Sequence, residues 1–197
     1  MAQYYYAVST LPTLSLEETS YLSMEKFMEL MEEQLTSQDL AYLKRVSIDP
    51  PPDFGDMPTA YVQYARFVVG LRNALSKERA GEFGWELQEH LRLNDRGETG
   101  ATEPEAMRRA REALNAENPY RAEEALVRAH WALLDDLEVG RFFSVEKLII
   151  YYLRLQLCER FGNMTKERGI DSFDEQYSRI ASQFEGIERS EQVNGEA

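Results

Sequence analysis

The sequence predicts an all-α protein built as two linked helical bundles, and three observations carry that reading. The stretch Ser144 to Phe161, SVEKLIIYYLRLQLCERF, is apolar around nearly its whole circumference at helical spacing, leaving a thin stripe through Lys147 and Arg154 for water. A helix of that kind must be wrapped by other helices. Elsewhere apolar residues recur at helical steps against acidic faces, as Phe27, Leu30 and Met31 do beside Glu25, Glu29, Glu32 and Glu33. Capping residues and prolines then mark where each such pattern begins.

In chain order, Tyr4-Tyr5-Tyr6-Ala7-Val8 suits a short strand and the first turns of a buried helix equally, and Leu11-Pro12 ends it. An amphipathic helix follows from Ser23. Thr36, with Asp39 three residues on, caps the next one, whose stripe is Leu40, Leu43 and Val46. The run SIDPPPDFGDMP, Ser47 to Pro58, is a loop, because consecutive prolines forbid helix and remove ladder donors. Thr59 begins a third helix through Tyr61, Tyr64, Phe67, Val68 and Leu71 to about Arg79. Gly81 and Gly84 read as hinges, and Trp85 to Leu93 as one more helical piece. The N-terminal bundle is therefore 1–93, and the polar, glycine-bearing stretch 94–103 is expected to be a flexible linker.

The second bundle, 104–185, opens on Thr102-Glu103-Pro104-Glu105, a capping box with proline at the first helical position. Its short helix runs through Met107, Ala110 and Leu114. Asn118-Pro119 launches a longer one, with Leu126, Ala129, His130, Leu133 and Leu137 on one face, and the Ser144 to Phe161 helix follows. A last helix is expected from Ser172, carrying Phe173, Tyr177, Ile180 and Phe184, before a frayed tail at 186–197.

A weak internal repeat accompanies this layout. Tyr64-Ala65-Arg66, Arg72 and Ser76 to Arg79 are echoed by Tyr152-Leu153-Arg154, Arg160 and Thr165 to Arg168, with Tyr4 to Ala7 as a fainter third echo. Duplication and chance both account for it.

The formal net charge of -13 argues against nucleic acid and anionic lipid as partners, since both demand clustered Lys and Arg. The single cysteine, Cys158, suits a reducing cytoplasm and sits among leucines and tyrosines as an inert thiol. No signal peptide or membrane span is expected. His90 and His130 lie in different halves, neither preceded by a carboxylate three residues earlier, so di-metal bundle chemistry is not expected and no cofactor is assigned. Gly81-x-x-Gly84 and Gly97-x-x-Gly100 lack the rest of a phosphate loop. The acidic pairs Glu123-Glu124 and Asp135-Asp136 read as solvated faces, with Asp135-Asp136-x-Glu138 also suited to a basic partner.

Three tracts carry a family resemblance: YYYAVSTLPTL at the start, YVQYARFVVGLR, and NPYRAEEALVRAHWALLDDLEVGRFFSVEKLIIYYLRLQLCERF. Through patterns of Tyr and Leu with Trp131, Phe143 and Arg160, over most of residues 4–168, the chain resembles an uncharacterised bacterial family encoded among the subunits of V-type (V/A-type) ATPases. That family looks like a shortened relative of the ATPase subunit called C in bacteria and d in eukaryotes, an all-helical funnel of three similar bundles. The resemblance implies a non-catalytic, cytoplasmic socket peripheral to the inner membrane, joining the central stalk to the membrane rotor ring through protein partners. At 197 residues the chain has room for about two such bundles. A helical adaptor or assembly factor for the same complex is the alternative. The eleven tyrosines favour packing or interface roles, and Tyr61, Tyr64, Arg66, Tyr151 and Arg154 are the residues expected to organise a bundle or an interface.

Overall fold

A computed structural model describes residues 2–16, 22–100 and 104–164. Among them every regular element is helical: α1 (Ala2–Ser9), α2 (Met24–Gln34), α3 (Ser37–Arg45), α4 (Thr59–Phe83), a short 3-10 turn at Leu87–His90, α5 (Pro104–Leu114), α6 (Pro119–Glu138) and α7 (Val145–Gly162). The all-α expectation is met, and Tyr4 to Val8 is helix rather than strand. The expected last helix, the tail, the Thr165 to Arg168 echo and the Thr102-Glu103 half of the capping box lie outside the described residues.

Local signals set the helix starts. Ser23 accepts from the backbone N–H of Lys26, Thr36 from that of Asp39, and Asn118 from that of Arg121, each satisfying a donor the first turn leaves unpaired. The start of α4 is different. Pro58 offers no side-chain cap, and the carboxylate of Glu146, from α7, accepts from the N–H of Ala60 at 3.0 Å instead. The end of α4 also departs from expectation. Gly81 lies inside the helix with open space where a Cβ would stand, and the stop is Gly84, in the left-handed region at φ 68°. An exposed interior glycine weakens a helix by only about 1 kcal/mol, too little to end one that packing holds.

The two halves do not keep separate cores. Phe27, Met31, Leu43, Tyr61, Tyr64 and Val68 join Leu134, Leu148, Ile149 and Leu153 in one buried cluster, while Leu71 and Ala74 of α4 meet Ala106 and Ala110 of α5 in a second. α7 buries Leu148, Ile149, Ile150, Tyr151, Leu153, Leu155, Leu157 and Cys158, so apolar groups point outward in every direction and no single neighbour can cover them. The stripe expected to face water is covered as well. Lys147 pairs with Glu138, and Arg154 with both Asp135 (2.5 Å) and Glu138 (2.6 Å), under the ring of Trp131. The basic partner anticipated for Asp135-x-x-Glu138 is thus α7 of the same chain.

The described part of the expected 94–103 linker, with Arg92 just before it, is tied to α4. The fully buried Asn73 donates from Nδ2 to the carbonyls of Arg92 (2.6 Å) and Thr99 and accepts the N–H of Arg92 at 2.8 Å. Arg66 clamps Asp95 through Nε (2.6 Å) and Nη2 (2.5 Å). The proline loop before α4 is likewise anchored, by the buried Phe54 and by Arg45, which bonds Asp56 at 2.9 Å and the carbonyl of Asp53 at 2.7 Å. No helix among the described residues is long and apolar enough to cross a membrane.

Candidate docking surface

Of the five residues singled out from the sequence, Tyr61, Tyr64 and Tyr151 are buried, and Arg66 and Arg154 are half-buried in ion pairs. Tyr61 is fully buried and its hydroxyl serves both backbone groups of Ser47, donating to the carbonyl at 3.1 Å and accepting from the N–H at 3.0 Å. Tyr64, also fully buried, meets Nδ1 of His130 at 2.8 Å. Arg66 holds Asp95. Tyr151 stacks on Phe27 with centroids 5.5 Å apart, and Arg154 closes the α6–α7 seam. Tyr61 and Tyr64 stack on each other, ring centroids 6.4 Å apart, and Tyr151 and Arg154 line one hollow, while Arg66 holds the segment after α4.

Burial governs the titration of these groups. It pushes the Tyr151 phenol up to about 12, with Cys158 adding a smaller push, and raises Tyr64 far above the ordinary phenol value. It pulls His130 down to about 4, helped by Arg160 and Arg72. His130 is therefore neutral in the folded protein at pH 7, edge-on to Phe67 and Tyr64. Because the folded state resists protonation that the unfolded chain accepts below about pH 6.5, this histidine supports the fold above that pH. The support is lost as pH falls towards 4. We expect the unfolding free energy to drop by about 2–3 kcal/mol across this window through His130, and H130Q to flatten the slope; denaturant titrations of both proteins at each pH provide the check.

The surface feature that stands out lies elsewhere. Phe142 (70% exposed), Phe143 (46%) and Tyr5 (59%) surround an open hollow of about 630 Å³ between α1 and the α6–α7 turn. Tyr5 and Phe143 touch, ring centroids 4.9 Å apart. Tyr6, next to Tyr5, and Val139, three residues before Phe142, are exposed too, at 62% and 78%.

The turn that carries the two phenylalanines is braced. Gly140 adopts φ 78°, open to glycine without strain. Arg141 then bonds the Leu137 carbonyl with one nitrogen and Glu146 with another at 2.9 Å, and Glu146 is the same residue that caps α4. Arg141 thus holds the turn to the end of α6 and the start of α7. A rigid, exposed aromatic cluster is what a docking surface needs, since burial of its rings is favourable and little conformational entropy is lost on binding.

From the sequence Tyr5 counts only among the tyrosines suited to packing or an interface and Phe143 only as part of the family pattern, while Phe142 goes unnamed, although a signal exists: Phe142-Phe143 stand just after Gly140, between two helices whose apolar stripes do not include them. A second exposed pair, Phe83 and Trp85, stacks at 5.3 Å with Trp85 against His90 at 5.5 Å. Cys158 is buried, as expected. Among the described residues no group of three or more His, Cys, Asp or Glu is arranged to hold a metal ion. Compared with known proteins, the chain matches no family model, no curated protein and no solved structure at a significant level.

Proposed function

We propose that this chain is a non-catalytic helical subunit of a V-type ATPase, a socket between the central stalk and the membrane rotor ring, docked through the face of Tyr5, Phe142 and Phe143. The observation that carries the reading is the position of that face. Its rings come from YYYAVSTLPTL and from the long NPYRAEEA to LCERF tract, two of the three stretches in which the sequence resembles proteins encoded among V-type ATPase subunits. The ties of α7 to α6 through Arg154, to α4 through Glu146 and to the proline loop through Gln156, which accepts the N–H of Ile48 at 3.0 Å, also suit a part that transmits torque, because a connector under load must not yield between its contacts. Attachment to the membrane then runs through protein partners.

Tagged protein recovered from its own membranes tests this. A subunit retains the stalk and ring proteins at stoichiometric level after a high-salt wash, because apolar contacts withstand salt that screens surface charge. The double variant F142S/F143S is expected to lower retention about tenfold, the loss typical of one removed aromatic anchor, with an unchanged melting temperature. ATPase subunits that are captured but released by salt indicate the adaptor or assembly factor instead. Recovery of no ATPase subunit overturns both.

A further inference from the structure

A second feature points to a ligand of different chemistry. Between α4, α6 and α7 runs a groove of about 230 Å³, floored by Val68, Leu71, Leu126, Val127 and Leu157, and it continues past Arg72 and Arg79 into a hollow of about 330 Å³ bounded by Arg92. Arg72, Arg79 and Arg160 stand at the rim of the apolar part, and the neutral His130, held from behind by Tyr64, forms part of its wall.

The charge balance in this groove runs against that of the whole chain. Among the described residues lining it, four arginines, Arg72, Arg79, Arg92 and Arg160, face two carboxylates, Asp49 and Glu123. Both carboxylates are already engaged: Asp49 by Arg72 and by Arg92 at 3.3 Å, Glu123 by Arg160 at 2.6 Å. Burial alone would raise the Asp49 carboxyl, yet the two guanidiniums outweigh it and hold it below its usual value. Among the described residues Arg79, unlike its three neighbours, has no carboxylate partner. The result is a local surplus of two positive charges in a protein of net charge -13. Arg72 and Arg160, the corresponding arginines of the two sequence echoes, meet here.

We propose that the groove binds a phosphate monoester with a short aliphatic body, the phosphate held by Arg79 together with Arg72 and Arg160 and the body laid on the leucine and valine floor. A phosphate monoester carries a charge of about −1.5 to −2 at pH 7, which matches the surplus where a carboxylate neutralises only half of it. Guanidinium groups present paired donors to phosphate oxygens, and a partly enclosed setting strengthens such contacts. The apolar floor gives the ester's chain a place that inorganic phosphate leaves empty.

Calorimetric titration of the full chain with butyl phosphate, inorganic phosphate and butanoate tests the assignment. Butyl phosphate is expected to bind saturably, with inorganic phosphate and butanoate each at least about tenfold weaker. R79Q, at an exposed position without an ion-pair partner, should keep the melting temperature and weaken butyl phosphate about tenfold. L126S, on the floor, should weaken butyl phosphate and leave the inorganic ion unaffected. Absence of saturable binding up to about 10 mM, equal affinity for butanoate, or indifference to R79Q each overturns the proposal.

Discussion

Replacing Asn73 with leucine is expected to remove about 3 kcal/mol of stability and to lower the melting temperature by about 6–12 °C. Leucine has nearly the same volume, so the cost is one of polar pairing rather than of space. Asn73 is fully buried and makes three hydrogen bonds to backbone groups of Arg92 and Thr99. Without them, two carbonyls and one N–H lie against an apolar side chain, each unsatisfied group costing about 1–3 kcal/mol. The alternative open to the chain is to lift residues 92–99 into water, which also breaks the Arg66–Asp95 clamp. D95A supplies the scale: that pair is partly exposed, with Arg66 at 26%, and its loss should cost only about 1 kcal/mol. Denaturant melts of N73L and D95A side by side decide the matter. A loss below about 0.5 kcal/mol for N73L would mean that these hydrogen bonds do not hold the segment.

Truncating Phe27 to alanine should have a larger effect still, about 4 kcal/mol, with F27L near 1 kcal/mol. Phe27 is fully buried on α2 and stacks on two consecutive rings of α7, Tyr151 at 5.5 Å and Tyr152 at 5.1 Å. Alanine leaves a cavity the size of the ring between two rigid phenols that cannot collapse into it, since both are set by the backbone of one helix. It also forfeits two aromatic contacts of about 0.5–1.5 kcal/mol each. Near-ultraviolet circular dichroism should weaken with the loss, because the tyrosines lose their fixed neighbour. If F27A does not fold, F27L still reads the contact. Equal stability of F27L and the parent, with an unchanged tyrosine signal, would show that the stack contributes nothing.

The contrast between these two residues indicates how much a reader of the sequence could have known. Phe27 stands in a stripe of Phe27, Leu30 and Met31, so its burial followed from spacing alone; that it meets Tyr151 and Tyr152 did not. Asn73 carries no such signal. An asparagine inside a helical pattern reads as an exposed polar residue, and only the path of residues 92–99 over α4 gives it a purpose. The glycine-bearing segment was expected to be loose for the same reason: its polar content suits water or a buried asparagine equally. Spacing puts Arg154 on a thin water-facing stripe as well as among the bundle-organising residues, and Asp135 on an acidic face suited to a basic partner; that the two pair with each other follows only from α6 and α7 lying side by side.

Of the docking face the sequence offers Tyr5 as one of several tyrosines suited to packing or an interface and Phe143 as part of the family pattern, without joining them. Tyr5 and Phe143 are 138 positions apart, their contact is a property of the fold, and isolated aromatics at a turn give no hint of whether they point inward. The arginine groove was less accessible still, since its members come from α4, the segment after α4, and α7.

By itself the sequence determined the helical class, the positions where α2 to α7 start, and the burial of the segment beginning at Ser144, because capping residues, prolines and the 3.6-residue period act within a few residues of one another. Tertiary structure alone decided that the halves share a core, that Glu146 caps a helix more than eighty positions away, and which aromatic rings are left in water. Those outcomes depend on pairs of groups whose separation along the chain says nothing of their distance in space, so no local pattern encodes them.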